Sequence, residues 1–322
     1  MRCLVVANPA AGAAGPDLIA QVVQHCGKYG DEVRTELTGH PGHARDLVAA
    51  ALAGAAPDVI VTVGGDGTAR EAAEGAARGL GRWPGGRSGS GAETGAALLM
   101  LPAGTGNSSS RALWGDRPWE ELVELALGSP AQTRVRHLDL LRIAEGDRAV
   151  LLGASAGFIA AVTEAALSFG EVSGRDRYLQ AMAATFASYR PYPGTVTVDG
   201  KPLQAGPTTL VTVGGARHRV GTFEVLPRSV LDDGALDVCA VRGWSSEEER
   251  AELAQRIMTG THLEHPGVQY AQGRRVRLTR DDGEPLCFEH DGEMWQGRDG
   301  ALTLEIVPGA VPVLAPVLPV AG

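Results

Sequence analysis

Apolar positions along the chain fall into short runs that end in glycine-rich turns, and the arrangement repeats. Asp58-Val-Ile-Val-Thr-Val63 is β-branched and apolar almost throughout, the pattern of a strand buried on both faces of a parallel sheet. It runs into Gly64-Gly65-Asp66-Gly67-Thr68, after which an alanine-rich stretch predicts a helix. Cys3 to Ala7 repeats the theme, ending in Asn8-Pro9-Ala10-Ala11-Gly12 before a helix from about Pro16 to Tyr29. Val33 to Leu37 leads into Thr38-Gly39-His40-Pro41-Gly42-His43-Ala44 and a further helix to Gly54. Ala97 to Leu101 leads into Pro102-Ala103-Gly104-Thr105-Gly106-Asn107-Ser108 and another. A succession of such β-α units predicts a doubly wound α/β domain, in which ligands bind at the C-terminal ends of the strands.

Around Arg134 to Ile143 the period shifts towards two, and strands separated by turns follow to about Ile306. The clearest are Arg142 to Leu152, Thr195 to Val198, Thr208 to Val213, Ala235 to Val241, Arg274 to Thr279 and Ala301 to Val307. A helix from about Arg175 to Tyr189 sets Tyr178, Met182, Phe186 and Tyr189 near one face, read as core, and a second helix follows the capping signal Ser245-Ser246-Glu247-Glu248. The pattern predicts a C-terminal β-sandwich domain over 135–307, after an N-terminal α/β domain over 1–134. The proline-rich end from Ile306 to Pro316 reads as a tail, 308–322, packed back on the first domain rather than as a central strand. Gly79 to Ala96, crowded with Gly, Ser and Arg, reads as a mobile surface loop.

At 322 residues and 44% hydrophobic, the chain has material for two cores. A formal net charge of -9 argues against nucleic-acid binding and allows at most peripheral membrane contact. No apolar run approaches the roughly 18 residues of a spanning helix, and Met1-Arg-Cys-Leu-Val-Val-Ala7 reads as a strand rather than a signal peptide, so a cytoplasmic protein is expected. Cys3, Cys26, Cys239 and Cys287 lack the paired spacing of zinc or redox sites and read as small core residues. A homodimer is allowed by the sequence, not required by it.

Glycines at a strand-to-helix turn let phosphate oxygens reach backbone N–H groups, and the helix presents its positive end. A carboxylate beside polyphosphate is tolerable when Mg²⁺ bridges the two, so Gly64 to Thr68 reads either as a metal-nucleotide site or as a tight turn with Asp66 as helix N-cap. Thr38 either donates a hydroxyl to a phosphate or caps its turn. Phe288-Glu289-His290-Asp291-Gly292-Glu293 reads on its own as a hairpin with Asp-Gly at the bend.

Taken together the turns resemble the diacylglycerol kinase catalytic family, specifically its soluble bacterial lipid kinases related to sphingosine and ceramide kinases. The resemblance is carried by Asn8-Pro9 with Gly12, Thr38 with Gly42-His43-Ala44, Gly64 to Thr68 with Glu71 and Gly75, and Pro102 to Asn107. His137-Leu138-Asp139-Leu140, Gly157-Phe158, Asp233-Gly-Ala-Leu-Asp237 and Asp291-Gly292-Glu293 follow in the family's order. The resemblance implies ATP bound through Asn8, Pro9, Thr38, Gly64, Gly65, Gly67, Thr68, Glu71, Gly104, Thr105, Gly106 and Asn107. It implies Mg²⁺ organised by Asp66, with Asp139 supporting the surrounding network, and Glu293 as the base that takes the acceptor's proton. Asp233 corresponds to a position that in some members binds a structural Mg²⁺, although Arg228-Ser229-Val230 upstream supplies no carboxylate. The implied acceptor is lipid-like, diacylglycerol by default, and lies in a cleft below the β-sandwich domain. A soluble hydroxylated metabolite as acceptor and a nucleotide-binding regulatory protein of reduced turnover are the alternatives. The second is motivated by Ser108, which stands where the family has an aspartate and is followed by Ser109 and Ser110.

Overall fold

A computed structural model describes residues 1–85, 95–169, 174–219 and 223–317. Half of the loop expected at 79–96, residues 86–94, lies outside the described residues. The chain divides into two units, one formed by Met1–Leu140 with the segment from Val307 onward, the other by Leu141–Ile306.

The first unit is built on strands β1 (Arg2–Ala7), β2 (Glu32–Leu37), β3 (Val59–Gly64) and β4 (Ala97–Pro102), all parallel in the order β2-β1-β3-β4. All six residues of β3 and five of β1 are buried, as expected of central parallel strands covered on both faces. Helices α1 (Pro16–Cys26), α2 (His43–Ala53), α3 (Asp66–Gly79), α4 (Ser108–Trp114) and α5 (Trp119–Val123) make the connections. Two glycines let α2 and α3 approach backbone to backbone. A Cβ on Gly75 would collide with the Arg45 carbonyl oxygen, and one on Gly79 would lie 2.9 Å from that of Ala49.

The stretch from Arg142 to Leu152, expected as one strand, is a hairpin. Strand β5 (Thr133–Ile143) ends early, and β6 (Arg148–Val150) returns with Leu141 opposite Val150. Asp147 takes φ +47 at the bend and accepts a 2.7 Å hydrogen bond from Arg142 Nε, so a local polar contact turns the chain where the apolar pattern alone runs on.

The second unit contains β7 (Gly153–Gly157), α6 (Phe158–Leu167), α7 (Gly174–Ser188), β8 (Tyr192–Val198), β9 (Lys201–Gly214), β10 (His218–Arg219), β11 (Phe223–Glu224) and β12 (Leu236–Arg242). They are followed by α8 (Glu247–Met258), β13 (Val268–Gly273), β14 (Arg275–Arg280), β15 (Phe288–His290), β16 (Glu293–Met294) and β17 (Ala301–Pro316). This is the C-terminal β-sandwich, in which neighbouring strands run antiparallel and β17 takes part through residues 301–305, opposite β14. Strand β9 pairs with β8 through its first half and with β7 and β12 through its second. Alternate residues such as Val196, Val211, Val213, Val276 and Leu278 fill one core. The capping signal forms as expected: Ser246 Oγ accepts from Glu249 N–H at 3.2 Å, and the Glu249 carboxylate reaches back to Ser245 N–H at 2.6 Å.

The proline-rich end corrects the expectation of a non-strand tail. β17 continues to Pro316 and lies parallel to β4, with Val313 opposite Leu98. Pro312 and Pro316, four residues apart, lack an N–H on the same edge, so donors are lost on that edge alone and the strand still pairs with β5 as well as β4.

Candidate active site

The turns after β1, β2, β3 and β4 are tied to one another by hydrogen bonds and by glycine contacts. Asn8 Nδ2 donates to Thr68 Oγ1 at 3.2 Å, while Asn8 Oδ1 accepts from Ala10 N–H at 3.0 Å and holds the turn that carries Pro9. Ala103 N–H donates to Gly64 O and Ala13 N–H to Ala103 O, both at 3.1 Å. A Cβ on Gly104 would overlap Cα of Gly65, one on Gly106 would lie 2.9 Å from Asp66 Oδ2, and one on Gly12 3.4 Å from Thr105 Oγ1. Asn107, at φ +52, turns its Oδ1 back onto Gly104 N–H at 2.7 Å. Thr38 is held through its N–H to Ala7 O at 2.8 Å. Glu71 binds the turn after β2 to α3: its Oε1 accepts from Gly42 N–H at 2.7 Å, where Gly42 sits at φ +85. The first hydrogen bond of α3 runs from Ala69 N–H to Gly65 O, so the amides of Gly67 and Thr68 belong to the donor set at a helix start that suits phosphate.

Asp66 does not cap its own helix, because Gly65 holds the N-cap position. Its carboxylate instead faces the start of α4, accepting from Ser108 N–H at 3.1 Å, Ser109 N–H at 2.8 Å and Ser109 Oγ at 2.9 Å. These bonds lock the turn after β3 to the turn after β4, and they account for Ser109, whose hydroxyl supplies a donor to Asp66. Among the described residues no group of three or more His, Cys, Asp or Glu side chains could hold a metal. Mg²⁺ in nucleotide sites is commonly held by one or two carboxylates together with substrate phosphates and water, so Asp66 beside a triphosphate fits that ion. Asp139 is buried and accepts from Gly309 N–H at 2.7 Å, which fastens β17 within the first unit. Asp233 is exposed and accepts from Ala235 N–H at 3.0 Å in a local turn.

In the second unit the acidic turn is the expected hairpin. Asp291 and Gly292 take φ +48 and +83, the type I′ geometry that favours Asp-Gly, and His290 faces Glu293 across it. Glu293 is half-buried on β16. Asp291 is pinned by N–H groups of Leu151, Leu152 and Gly153 at 2.7, 2.8 and 3.2 Å.

The second unit also holds an apolar pocket that encloses about 810 Å³, its open mouth included. Phe158, Met182, Phe186, Trp244, Leu253 and Ile257 are among its walls, supplied by α6, α7, α8 and the segment before α8. Met182, Phe186 and Tyr189, read from the sequence as core, line this cavity, and Met182 also packs with Tyr178 against the buried cluster of Val162, Ala166 and Ala181. Periodicity marks an apolar face but not whether its partner is protein or empty space. Tyr189, Thr209, Trp244 and Arg250 bring polar atoms to its walls. Tyr189 donates to Thr209 O at 2.9 Å, with burial pushing its phenol pKa well up. The Arg250 guanidinium lies 4.6 Å from the Phe186 ring centroid and 5.7 Å from that of Trp244. The four cysteines are free; burial pushes Cys26 and Cys239 up to about 12, which suits the core role read from the sequence.

Comparison with known proteins fits both halves. The family model for the diacylglycerol kinase catalytic domain matches residues 2–143, and that for the YegS C-terminal NAD kinase beta sandwich-like domain matches residues 153–315. A "Probable lipid kinase YegS-like" protein of Pseudomonas savastanoi is 30% identical over 300 residues, covering 89% of this chain and 88% of that protein. The crystal structure of a diacylglycerol kinase from Bacillus anthracis shares the fold with a TM-score of 0.73 at 18% identity, covering 98% of this chain and 97% of that one. Yeast NADH kinase is a more distant likeness, at TM-score 0.50 and 11% identity over 99% of this chain and 84% of that one. With β-strand turns, sandwich and sequence in agreement, the chain belongs to the diacylglycerol kinase catalytic family, among its YegS-like lipid kinases.

Proposed function

We propose that this protein is an ATP- and Mg²⁺-dependent kinase that phosphorylates a hydroxyl of a lipid-like acceptor, with diacylglycerol the first to test. The observation that carries the choice of acceptor is the apolar pocket of the second unit, whose almost wholly apolar, aromatic lining suits a hydrocarbon chain better than a soluble metabolite. In this reading the triphosphate is received by the turns at Asn8, Thr38, Gly64 to Thr68 and Gly104 to Asn107. Backbone amides supply the donors, and Asp66 is the carboxylate that would hold the metal. Mg²⁺, when bound, neutralises charge on the phosphates. Glu293 takes the proton of the acceptor hydroxyl as its oxygen bonds to the γ-phosphorus and the bond to the bridging oxygen breaks, releasing ADP. Phosphoryl transfer asks mainly for positioning and charge stabilisation, which fits a site made of fixed turns and one base. Asp139 acts at one remove, by holding Gly309 and the end of β17 in place.

The test is an acceptor screen with ATP and Mg²⁺, reading phosphorylated product by mass. Diacylglycerols of graded chain length, sphingoid bases and long-chain alcohols should give product, with turnover rising with chain length until the pocket is filled. Product from soluble polyols alone would overturn the lipid reading, and ATP binding without transfer to any acceptor would favour the regulatory one.

A further inference from the structure

We infer that Arg219, through a buried ion pair with Glu289, is a positioning residue for Glu293; this rests on the kinase reading above. Arg219 lies on β10 and Glu289 on β15, and their side chains are only 6% and 1% exposed. Arg219 Nη2 donates to Glu289 Oε1, and the other oxygen, Oε2, accepts from Gly292 N–H at 3.0 Å. One carboxylate thus joins a buried cation to the bend that leads into Glu293. The pairing of Glu289 with Met294 and of His290 with Glu293 places Glu289 on the face of the hairpin opposite Glu293. The ion pair therefore grips the hairpin from one side and leaves the other to Glu293.

An Asp-Gly type I′ bend forms without such help, and Asp291 already ties it to the amides of residues 151–153. Buried ion pairs add little net stability, since desolvation offsets most of their attraction, whereas they can fix one arrangement among several. A two-residue hairpin that must hold a base within a fraction of an ångström of its productive position is a place where that fixing has a use.

Arg219→Met alone leaves Glu289 buried without its cation and is expected to destabilise the unit, so the informative variant is Arg219→Met with Glu289→Met, which removes both charges. Its melting temperature should recover towards that of the parent, while kcat stays about 10²-fold lower and the KM for ATP shifts by about twofold or less. Arg219→Lys, which keeps the charge, should restore most of the lost turnover. Amide exchange at Trp295, whose N–H bonds to Phe288 O across the hairpin and touches neither substitution, should quicken in the double variant. Full recovery of kcat together with stability, or unchanged exchange at Trp295, would overturn the inference. Glu293→Gln run in parallel separates the two claims. Full turnover in that variant means that the base assignment has failed, whereas faster exchange at Trp295 reports the anchoring independently of catalysis.

Discussion

The turns of the first unit and the pocket of the second are made in opposite ways. The turns are backbone structures: Gly104 against Gly65, Gly42 at positive φ held by Glu71, Asn107 folded back on Gly104, each position restricted to the few residues that leave room or take the required φ. The pocket is a space left among side chains, in which Phe158, Phe186 and Trp244 do what other large apolar residues could do. A site defined by backbone contact tolerates almost no change, and one defined by volume tolerates many. Within such a family the phosphate-binding half is therefore expected to stay fixed while the acceptor half drifts.

The sharpest break of that contrast is at Glu293, a single side chain on which chemistry rather than shape depends. Glu293→Gln should lower kcat by about 10² to 10⁴ while ATP affinity holds within about twofold. Equal loss of ATP affinity in calorimetric titration would remove it as the base.

Next, Gly104→Ala should weaken ATP binding by roughly tenfold to a hundredfold, since forcing the two turns apart costs about 1–3 kcal/mol, and leave lipid binding to the second unit unchanged. Undiminished ATP binding would show that the close approach of Gly65 and Gly104 has no part in the site. On the other side of the comparison, Ala254→Phe, which fills the pocket, should raise KM for long-chain acceptors by about tenfold and spare short ones. Equal effects on both would detach the pocket from acceptor binding.

A smaller effect is expected at Ser108. Its amide already bonds to Asp66, so Ser108→Asp sets two carboxylates side by side; turnover should fall by about fivefold, equivalent to ~1 kcal/mol of repulsion at water-like dielectric. A clear gain over a Mg²⁺ titration would mean that the metal welcomes a second carboxylate and that the serine merely weakened the site.

The smallest effect is on pH dependence. His262 is buried with Nε2 3.0 Å from Val225 O, in the wall of the pocket, and desolvation lowers its pKa below the usual 6.5. A depressed pKa means that the unfolded chain takes up the proton first. The contribution is thus complete above about pH 6.5 and is lost as pH falls below it. Urea midpoints of the wild type and His262→Gln at about pH 5 and about pH 8 should show the drop in the first protein and a smaller one in the second. Equal slopes would assign the acid sensitivity elsewhere.

The same contrast governs what could be read from sequence. Glycine-rich turns after β1, β3 and β4 were legible because their residues are dictated by backbone geometry, and the Asp291-Gly292 bend for the same reason. The partner of Asp66 was not, because nothing in the spacing of 66 and 109 says that a carboxylate after one strand caps the helix after the next. Met182 and Phe186 read as core because a helix stripe carries no information about what faces it. The strand through Pro312 was hidden by counting prolines rather than asking to which edge their missing N–H groups turn.

Strand β17 has a consequence for how the protein is made. The first unit contains Met1 to Leu140 but also needs the segment from Val307, whose strand lies beside β4 and whose Gly309 satisfies Asp139. During synthesis the residues up to Leu140 therefore wait, with one side of β4 uncovered, until the segment from Val307 has left the ribosome. A nascent chain stalled after residue 300 should be cleaved by protease within the first unit, and release of the remaining residues should protect it. Any change to the segment from Val307 thus acts on a unit whose other residues were translated long before it.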